Sequence, residues 1–175
     1  MTINQKPFII GTRGSQLALY QAQRVREELQ KQLPQLPTKI KVIKTKGDKI
    51  LDVALSKIGD KGLFTKELET ELLRGTIDVA VHSLKDLPTR FPVGCTLGGV
   101  LERGEFRDAL VHIDGKRFAE LTTRDVIATS SLRRRAQLLR QNPDFNIVDI
   151  RGNVNTRLEK MKNGHCSAMI MAAAG

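Results

Sequence analysis

The chain has 175 residues, of which 40% are hydrophobic, so it can bury a core and is not expected to be disordered. Lys and Arg total 29 against 19 Asp and Glu, and the net charge of +10 predicts attraction to an anion, whether nucleic acid, membrane surface or carboxylated metabolite. With no Trp, one Tyr and six Phe, the chain lacks the aromatic platforms that single-stranded nucleic acid requires, although duplex phosphate binding stays open.

Sequence signals for a membrane, a secretion route or a metal are lacking. The N-terminus, MTINQKPFII, has no charged segment followed by a long apolar stretch, and no run approaches the length of a membrane span. Cys95 and Cys166 form no CxxC pair, and only His165 lies near either of them, so neither a disulfide framework nor a zinc site is indicated. We therefore expect a soluble cytoplasmic protein without a metal, in which both cysteines are core residues.

The first half of the chain predicts strands that alternate with helices. The apolar run PFIIG is followed by the turn TRGS, after which apolar and small residues recur with helical spacing. Two further apolar runs have strand character, and a helical segment before the second of them ends at Gly75. The predicted strands are residues 7–11, 39–45 and 77–81, and the predicted helix is residues 65–73. Together they form a βαβαβ unit.

The same plan restarts after the segment LGGVLERGE. Strands are predicted at residues 109–112, 126–128 and 147–150, with helices beginning in TSSLRRR and in RGNVNTR. A boundary near Gly104 divides the chain into a first domain at 1–103 and a second at 104–175. Because strands alternate with helices, the predicted fold class is α/β with parallel-rich sheets flanked by helices, and ligands are expected at the carboxyl ends of the strands.

Four turns at predicted strand ends carry cations together with Ser, Thr, Gly or Asn: GTRGS, VHSLKDLP, TSSLRRR and RGNVNTR. In TSSLRRR the hydroxyl residues predict a helix N-cap, so the arginines fall in the first turn, where the helix dipole disfavours cations. A bound anion would account for this placement, and the arginine fork suits a carboxylate. Since adjacent helical residues point about 100° apart, Arg135 is expected to face solvent. Solvated surface arginines and phosphate binding are the alternatives.

These stretches resemble the porphobilinogen deaminase family, whose members are also called hydroxymethylbilane synthases. The similarity is carried by GTRGSQLALYQA, KTKGDKILDVALSKIGDKGLFTKELE, DVAVHSLKDLPT, ERGEFRDALV, ATSSLRRRAQL and DIRGNVNTRLEKM, in the family's order and spacing, over nearly all of the chain. The resemblance implies a bilobal fold like that of the type II periplasmic binding proteins, with two domains facing each other across the active-site cleft. We expect a monomer with no nucleic-acid or membrane partner.

The resemblance also implies a covalent dipyrromethane cofactor. Family members are considerably longer than this chain, and their third domain carries the cysteine that holds the cofactor by a thioether. Neither Cys95, in VGCTLGG, nor Cys166, in GHCSAMI, lies in the matching context. We therefore expect the attachment cysteine outside this chain, which would be an N-terminal portion that is inactive by itself.

The activity implied by the resemblance is the head-to-tail condensation of four porphobilinogen molecules, with loss of ammonia, to linear hydroxymethylbilane in tetrapyrrole (heme) biosynthesis. Each pyrrole carries an acetate and a propionate, which explains a site rich in arginine. By similarity Asp86 is the catalytic carboxylate, which stabilises the cation left by ammonia loss and then accepts a proton. The residues implied for substrate and cofactor binding are Arg13, Ser15, Phe64, Ser83, Lys85, Thr129, Ser131, Arg133, Arg134, Arg151, Gly152 and Arg157.

Several of these residues have a second interpretation. Asp86 precedes Leu-Pro and, taken alone, is typical of a turn, although Lys85 and the arginines are expected to favour its ionised form. Phe64 follows a segment that is a mobile lid in the family, with Lys57 and Lys61, and would pack on a pyrrole ring or on the following helix. His82 is expected to orient its turn, and the other two histidines show no partner. A binding module for a small carboxylated ligand is the alternative function.

Overall fold

The computed structural model describes residues 6–49 and 62–175. The described residues form two compact units, unit 1 up to Leu101 and unit 2 from Glu102 onwards. This division lies close to Gly104, and the functional domains at 1–103 and 104–175 stay a prediction. No helix in the described ranges has the length and apolar character needed to cross a membrane.

Unit 1 contains a three-stranded parallel sheet. Strand β1 lies between β2 and β3, and the carboxyl ends of the three strands lie at one edge because all run in the same direction. The third strand is shorter than the predicted range 77–81. The elements are β1 (Phe8–Thr12), α1 (Gln16–Gln32), β2 (Thr38–Val42), α2 (Lys46–Lys49), α3 (Lys66–Leu73), β3 (Val79–Ala80) and a 3-10 helix (Leu84–Asp86).

Local signals in the sequence explain the helices of unit 1. The Ser15 hydroxyl caps α1 by accepting a hydrogen bond from the Ala18 backbone N–H at 3.3 Å, and Ala18 and Ala22 are buried one turn apart. Helix α3 buries Leu68 in the core and is followed by Gly75, whose φ of +67° favours glycine after a helix. The predictions for these two helices are confirmed.

Unit 2 contains a four-stranded mixed sheet in the order β4-β7-β5-β6. Strand β5 is parallel to β6 and β7, whereas β4 is antiparallel to β7, so the sheet is parallel-rich, as predicted, with one antiparallel edge. Strand β7 was not predicted. The elements are β4 (Asp108–His112), a second 3-10 helix (Phe118–Glu120), β5 (Val126–Ala128), α4 (Leu132–Gln141), β6 (Asn146–Val148), α5 (Val154–Lys162) and β7 (Ala168–Ala172).

Helices cover both faces of this sheet. Alternate residues of a strand point to opposite faces, and Ile127 and Ala128 accordingly belong to two different core clusters. The Ile127 cluster includes Leu138 of α4, and the Ala128 cluster includes Met161 of α5. The result is the predicted α/β architecture with helices flanking a parallel-rich sheet.

Some expectations for single residues are corrected. Cys166 is buried, but Cys95 is only half-buried, so only one of the two cysteines is a core residue. Both histidines expected to lack partners have one. His112 accepts a hydrogen bond from the Asp114 N–H through Nδ1 and therefore donates from Nε2 to the buried Asp125 carboxylate at 3.1 Å. His165 Nε2 lies 2.8 Å from the Asp149 carbonyl oxygen. Lys57 and Lys61 lie outside the described residues.

Candidate active site

The strand ends of unit 1 bring one cation and two carboxylates together. Arg13 follows β1, Asp48 lies beyond β2, and Asp86 lies beyond β3. Arg13 Nε donates to Asp48 Oδ1 at 3.1 Å, and Arg13 Nη1 lies 3.9 Å from Asp86 Oδ2. The guanidinium carbon lies 4.2 Å from the centroid of the Phe64 ring, which is a cation–π contact. Neither interpretation of Phe64 from the sequence anticipated this contact.

The electrostatic environment of Asp86 differs from the expectation. Burial raises the pKa of Asp86 above its ordinary value, and the charges of Lys85 and Arg13 oppose this effect without overcoming it. Lys85 and Arg13 thus favour the ionised form, as predicted, but burial outweighs them. Lys85 is exposed, so water screens its charge, and Arg13 shares its charge with Asp48. A carboxylate with a raised pKa is a better proton acceptor than an ordinary one.

Two further groups at this edge have shifted pKa values. Burial acts to raise the pKa of Asp48, but hydrogen bonds from Arg13 and Thr45 outweigh it and hold that pKa below its ordinary value. Burial and the Arg13 charge lower the pKa of His82 to about 4. His82 is therefore neutral at pH 7, next to a cation.

The other predicted residues of unit 1 are two serines with structural partners and an exposed lysine. Ser15 caps α1, and the Ser83 hydroxyl accepts a hydrogen bond from the side-chain amide of Gln21 at 2.9 Å. Lys85 is exposed and forms no ion pair with a described residue. Arg13, Phe64 and Asp86 thus lie near one sheet edge. Ser83 is held near them by its hydrogen bond with Gln21.

In unit 2 the hydroxyl residues of the turn TSSLRRR serve the backbone. Ser131 is the N-cap of α4, and the buried Thr129 hydroxyl accepts from the Ser131 N–H at 3.3 Å. Between them, the Ser130 hydroxyl donates to the Ile150 carbonyl at 2.7 Å and accepts from the Ile150 N–H at 3.0 Å. Ser130 therefore joins this turn to the turn RGNVNTR, which begins at Arg151.

The three consecutive arginines have three different environments. Arg134 makes two hydrogen bonds to the Asp108 carboxylate, at 2.6 and 2.9 Å, and its side chain is only 14% exposed. Arg133 is 63% exposed and lies 3.5 Å from the same carboxylate. Arg135 is exposed, so the prediction that it faces solvent is confirmed. The fork of Arg134 is occupied by a carboxylate of the chain itself.

Arg151 and Arg157 complete an arginine cluster. Nη1 of Arg151 is buried and has no hydrogen-bond partner among the described residues. Arg157 Nε donates to the Gly152 carbonyl at 2.8 Å, which folds its side chain back over the turn. Burial, followed by the charges of Arg134 and Arg151, lowers the pKa of Arg157. The charges of Arg134 and Arg151 thus act unfavourably on the Arg157 guanidinium, which is an arrangement that an anion would stabilise.

Gly152 permits the turn that carries Arg151. Its φ is +111°, and a Cβ at this position would lie 2.6 Å from the Cβ of Thr156. Asn153 then caps α5 by accepting a hydrogen bond from the Thr156 N–H at 2.9 Å. A glycine is needed because both the backbone conformation and the space exclude a side chain.

Comparison with known proteins identifies the family of this chain. A protein-family model described as "Porphobilinogen deaminase, dipyromethane cofactor binding domain" matches residues 8–175. The chain belongs to the porphobilinogen deaminase family. A porphobilinogen deaminase of Syntrophomonas wolfei is 57% identical over 166 residues, which are 95% of this chain and 54% of the relative. One of Chloroherpeton thalassium is 50% identical over 171 residues, which are 98% of this chain and 54% of the relative. The chain spans about half the length of these relatives.

The residues at the strand ends of unit 2 fit a carboxylated cofactor. A buried guanidinium nitrogen without a partner, Nη1 of Arg151, requires an acceptor, and a pyrrole acetate or propionate is a suitable one. Arg157 lies beside it. Cys166, by contrast, is buried, and burial raises the pKa of its thiol, which disfavours a reactive thiolate.

Sequence reasoning missed the residues that hold the predicted site residues in place. Asp48 and Asp108 each bind a predicted arginine, Gln21 binds Ser83, and Ser130 joins the two arginine-rich turns. Asp48 and Asp108 lie within the stretches KTKGDKILD and ERGEFRDALV, so their presence in family-like segments is the signal that could have identified them. Their partners, however, lie 26 to 35 residues away along the chain.

Proposed function

We propose that this chain is the substrate-condensing and cofactor-binding part of a hydroxymethylbilane synthase, a transferase that joins porphobilinogen units with loss of ammonia. The arginine cluster of unit 2 is the observation that carries the proposal. Arg151 and Arg157 are half-buried. Among the described residues, Nη1 of Arg151 has no hydrogen-bond partner, whereas Nε of Arg157 donates to the Gly152 carbonyl. Pyrrole acetates and propionates supply the negative charge that such a cluster requires.

Both units contribute binding residues to the proposed function. Arg151, Arg157 and Arg133 hold carboxylates of the cofactor and the growing chain, while Arg134 contributes charge because Asp108 occupies its fork. Thr129, Ser131 and Gly152 shape the two turns. In unit 1, Arg13, Lys85, Ser83 and Phe64 contact the incoming porphobilinogen, and Ser15 fixes the turn after Arg13. When bound, dipyrromethane supplies the pyrrole ring to which the first substrate is joined.

Asp86 is the catalytic carboxylate in this proposal. Cleavage of the aminomethyl C–N bond of porphobilinogen releases ammonia and leaves positive charge on the substrate, which the Asp86 carboxylate stabilises. After the new C–C bond forms, the attacked pyrrole carbon loses a proton, and Asp86 accepts it. The raised pKa of Asp86 suits the second step, since it makes the carboxylate a stronger base.

The proposal extends to the fold, the domains, the oligomeric state and the cellular location. The two units are two lobes of a fold similar to the type II periplasmic binding proteins, with domains at 1–103 and 104–175. The protein is a cytoplasmic monomer without a nucleic-acid partner. Duplex DNA, if it binds at all, is expected to show a steep salt dependence and no competition by porphobilinogen.

A chimera tests the proposed function. This chain replaces the matched 54% of the Syntrophomonas wolfei relative, and ammonia release from porphobilinogen is measured. We expect turnover in the parent chimera, a loss of about 100-fold or more in Asp86→Asn, and no change in Asp144→Asn, which alters an exposed aspartate. Full turnover in Asp86→Asn would remove the catalytic assignment. Binding of porphobilinogen without ammonia release in the parent chimera would favour the binding module.

A further inference from the structure

The ion pair between Arg13 and Asp48 has no role in the reaction as proposed, yet hydrogen bonds hold both oxygens of the Asp48 carboxylate. Asp48 Oδ1 accepts from Arg13 Nε at 3.1 Å and also from Nη2, so the carboxylate occupies one whole edge of the guanidinium. The other oxygen, Oδ2, accepts from the Thr45 hydroxyl at 2.8 Å and from the Thr45 N–H at 3.2 Å. Asp48 is therefore anchored to the end of β2 as well as to Arg13.

Phe64 fixes a second side of the same guanidinium. The Arg13 guanidinium carbon lies 4.2 Å from the ring centroid, and the ring in turn packs against Gly47. A Cβ added at Gly47 would lie 2.2 Å from a ring carbon of Phe64, so only glycine leaves room for this packing. The Gly47 N–H donates to the Leu63 carbonyl at 2.8 Å, which ties the two segments together.

With its edge held by Asp48 and its face by Phe64, the guanidinium of Arg13 presents Nη1 towards Asp86. The distance from Nη1 to Asp86 Oδ2 is 3.9 Å, and the two side chains are 19% and 30% exposed. We propose that Asp48 is a positioning residue of the reaction, which aims Nη1 of Arg13 at the catalytic carboxylate and offsets the charge that Arg13 exerts there. The role in the reaction rests on the proposed function, whereas the contact itself does not.

The charges around Asp86 support this inference. Lys85 lies on the same 3-10 helix and is exposed, Arg13 comes from the end of β1, and His82 is neutral at pH 7. Asp48 supplies the negative charge on the far side of Arg13. Without it, the full charge of Arg13 would act on Asp86, and the carboxylate would lose basicity. Burial raises the pKa of Asp86, while the charges of Lys85 and Arg13 act to lower it.

The test is an NMR titration of the Asp86 side-chain carboxyl group in the 175-residue chain. In Asp48→Asn the titration of Asp86 is expected to move to lower pH, because the Arg13 charge is no longer offset. Asp48→Glu, which keeps the charge, is expected to titrate close to the wild type, and Asp144→Asn is the control for removing an exposed carboxylate. Identical Asp86 titrations in the wild type and Asp48→Asn would overturn the inference.

A double-mutant cycle keeps the inference testable if Asp48→Asn disturbs the local fold. In an Arg13→Gln background, Asp48→Asn is expected to leave the Asp86 titration unchanged, since its effect is transmitted through Arg13. A shift that persists without Arg13 would contradict the positioning role.

In the chimera, Asp48→Asn is expected to lower turnover about tenfold and to move the acidic limb of the pH profile to lower pH. Failure of the parent chimera to release ammonia would count against the proposed function alone, because the titration requires no turnover.

Discussion

At the scale of single residues, the site depends on carboxylates and arginines that neutralise each other unequally. Arg13 and Arg134 are each bound by an aspartate of the chain, whereas Nη1 of Arg151 is buried without a partner among the described residues. A charged group that is already paired contributes less free energy of binding to a ligand carboxylate than an unpaired one does. Arg151 is therefore the arginine whose loss is expected to weaken anion binding most.

His82 gives a pH-dependent prediction at this scale. The pKa of His82 in the folded protein is about 4, against about 6.5 for an exposed histidine. Between these two pH values, His82 is therefore protonated in the unfolded chain and neutral in the folded chain. The stability linked to His82 is complete above pH ~6.5 and is lost as the pH falls towards 4, by up to about 3 kcal/mol.

The imidazole NMR signals of His82 measure this directly and are expected to titrate with a midpoint near pH 4. Urea unfolding of the wild type and His82→Gln should give stabilities that differ more at pH 7.5 than at pH 4.5. A midpoint near 6.5 would show that His82 is not buried beside Arg13.

Residue-scale chemistry was predictable where it is local. The N-cap role of hydroxyl residues in TSSLRRR and the exposure of Arg135 follow from residues within one helical turn, and both are observed. The partners of the arginines were not predictable from spacing, because Asp48 and Asp108 reach them only through the pairing of distant strands. The direction of the Asp86 pKa shift was missed for the same reason, since burial is a property of the folded chain.

At the scale of elements, the turn from β6 into α5 places Arg151 and Arg157, and its conformation depends on Gly152. Gly152→Ala is expected to destabilise unit 2 by about 1–3 kcal/mol, because φ of +111° strains an alanine and its Cβ would collide with Thr156. Gly104→Ala is the control, since a Cβ there would lie 3.9 Å from Ala174 in ordinary contact. Urea unfolding curves of the two variants measure the difference. Equal midpoints would contradict the role of Gly152.

The order of strands and helices was largely predictable, but the pairing of strands was not. Apolar runs bounded by Gly and polar turns predicted six of the seven strands in the described part of the chain, including residues 126–128 with their observed bounds. The apolar run AMIMA near the chain's last residues forms β7, which occupies the centre of the sheet and pairs antiparallel with β4. Periodicity identifies a strand, but it carries no information about which neighbour the strand selects or in which direction.

At the scale of the whole molecule, the topology of the two sheets determines where the cationic turns lie. The four cationic turns follow parallel strands, and the topology brings them together in pairs, two beside β1 and two beside β5. This pairing follows from the α/β alternation that the sequence predicts. The choice of a pyrrole carboxylate over a phosphate required the family resemblance, because either anion would satisfy an arginine cluster.

The central claim is that the arginine cluster of unit 2 binds the carboxylates of a pyrrole. It is tested most directly by titrating the chain with a free dipyrromethane carboxylic acid and, separately, with its methyl ester, while the arginine side-chain N–H signals are followed by NMR. We expect the acid to shift the signals of Arg151 and Arg157, the ester to bind much more weakly, and Arg151→Gln to weaken binding about tenfold or more, with Arg135→Gln as an unaffected control. Equal affinity for acid and ester, or equal affinities of the two variants, would contradict the claim.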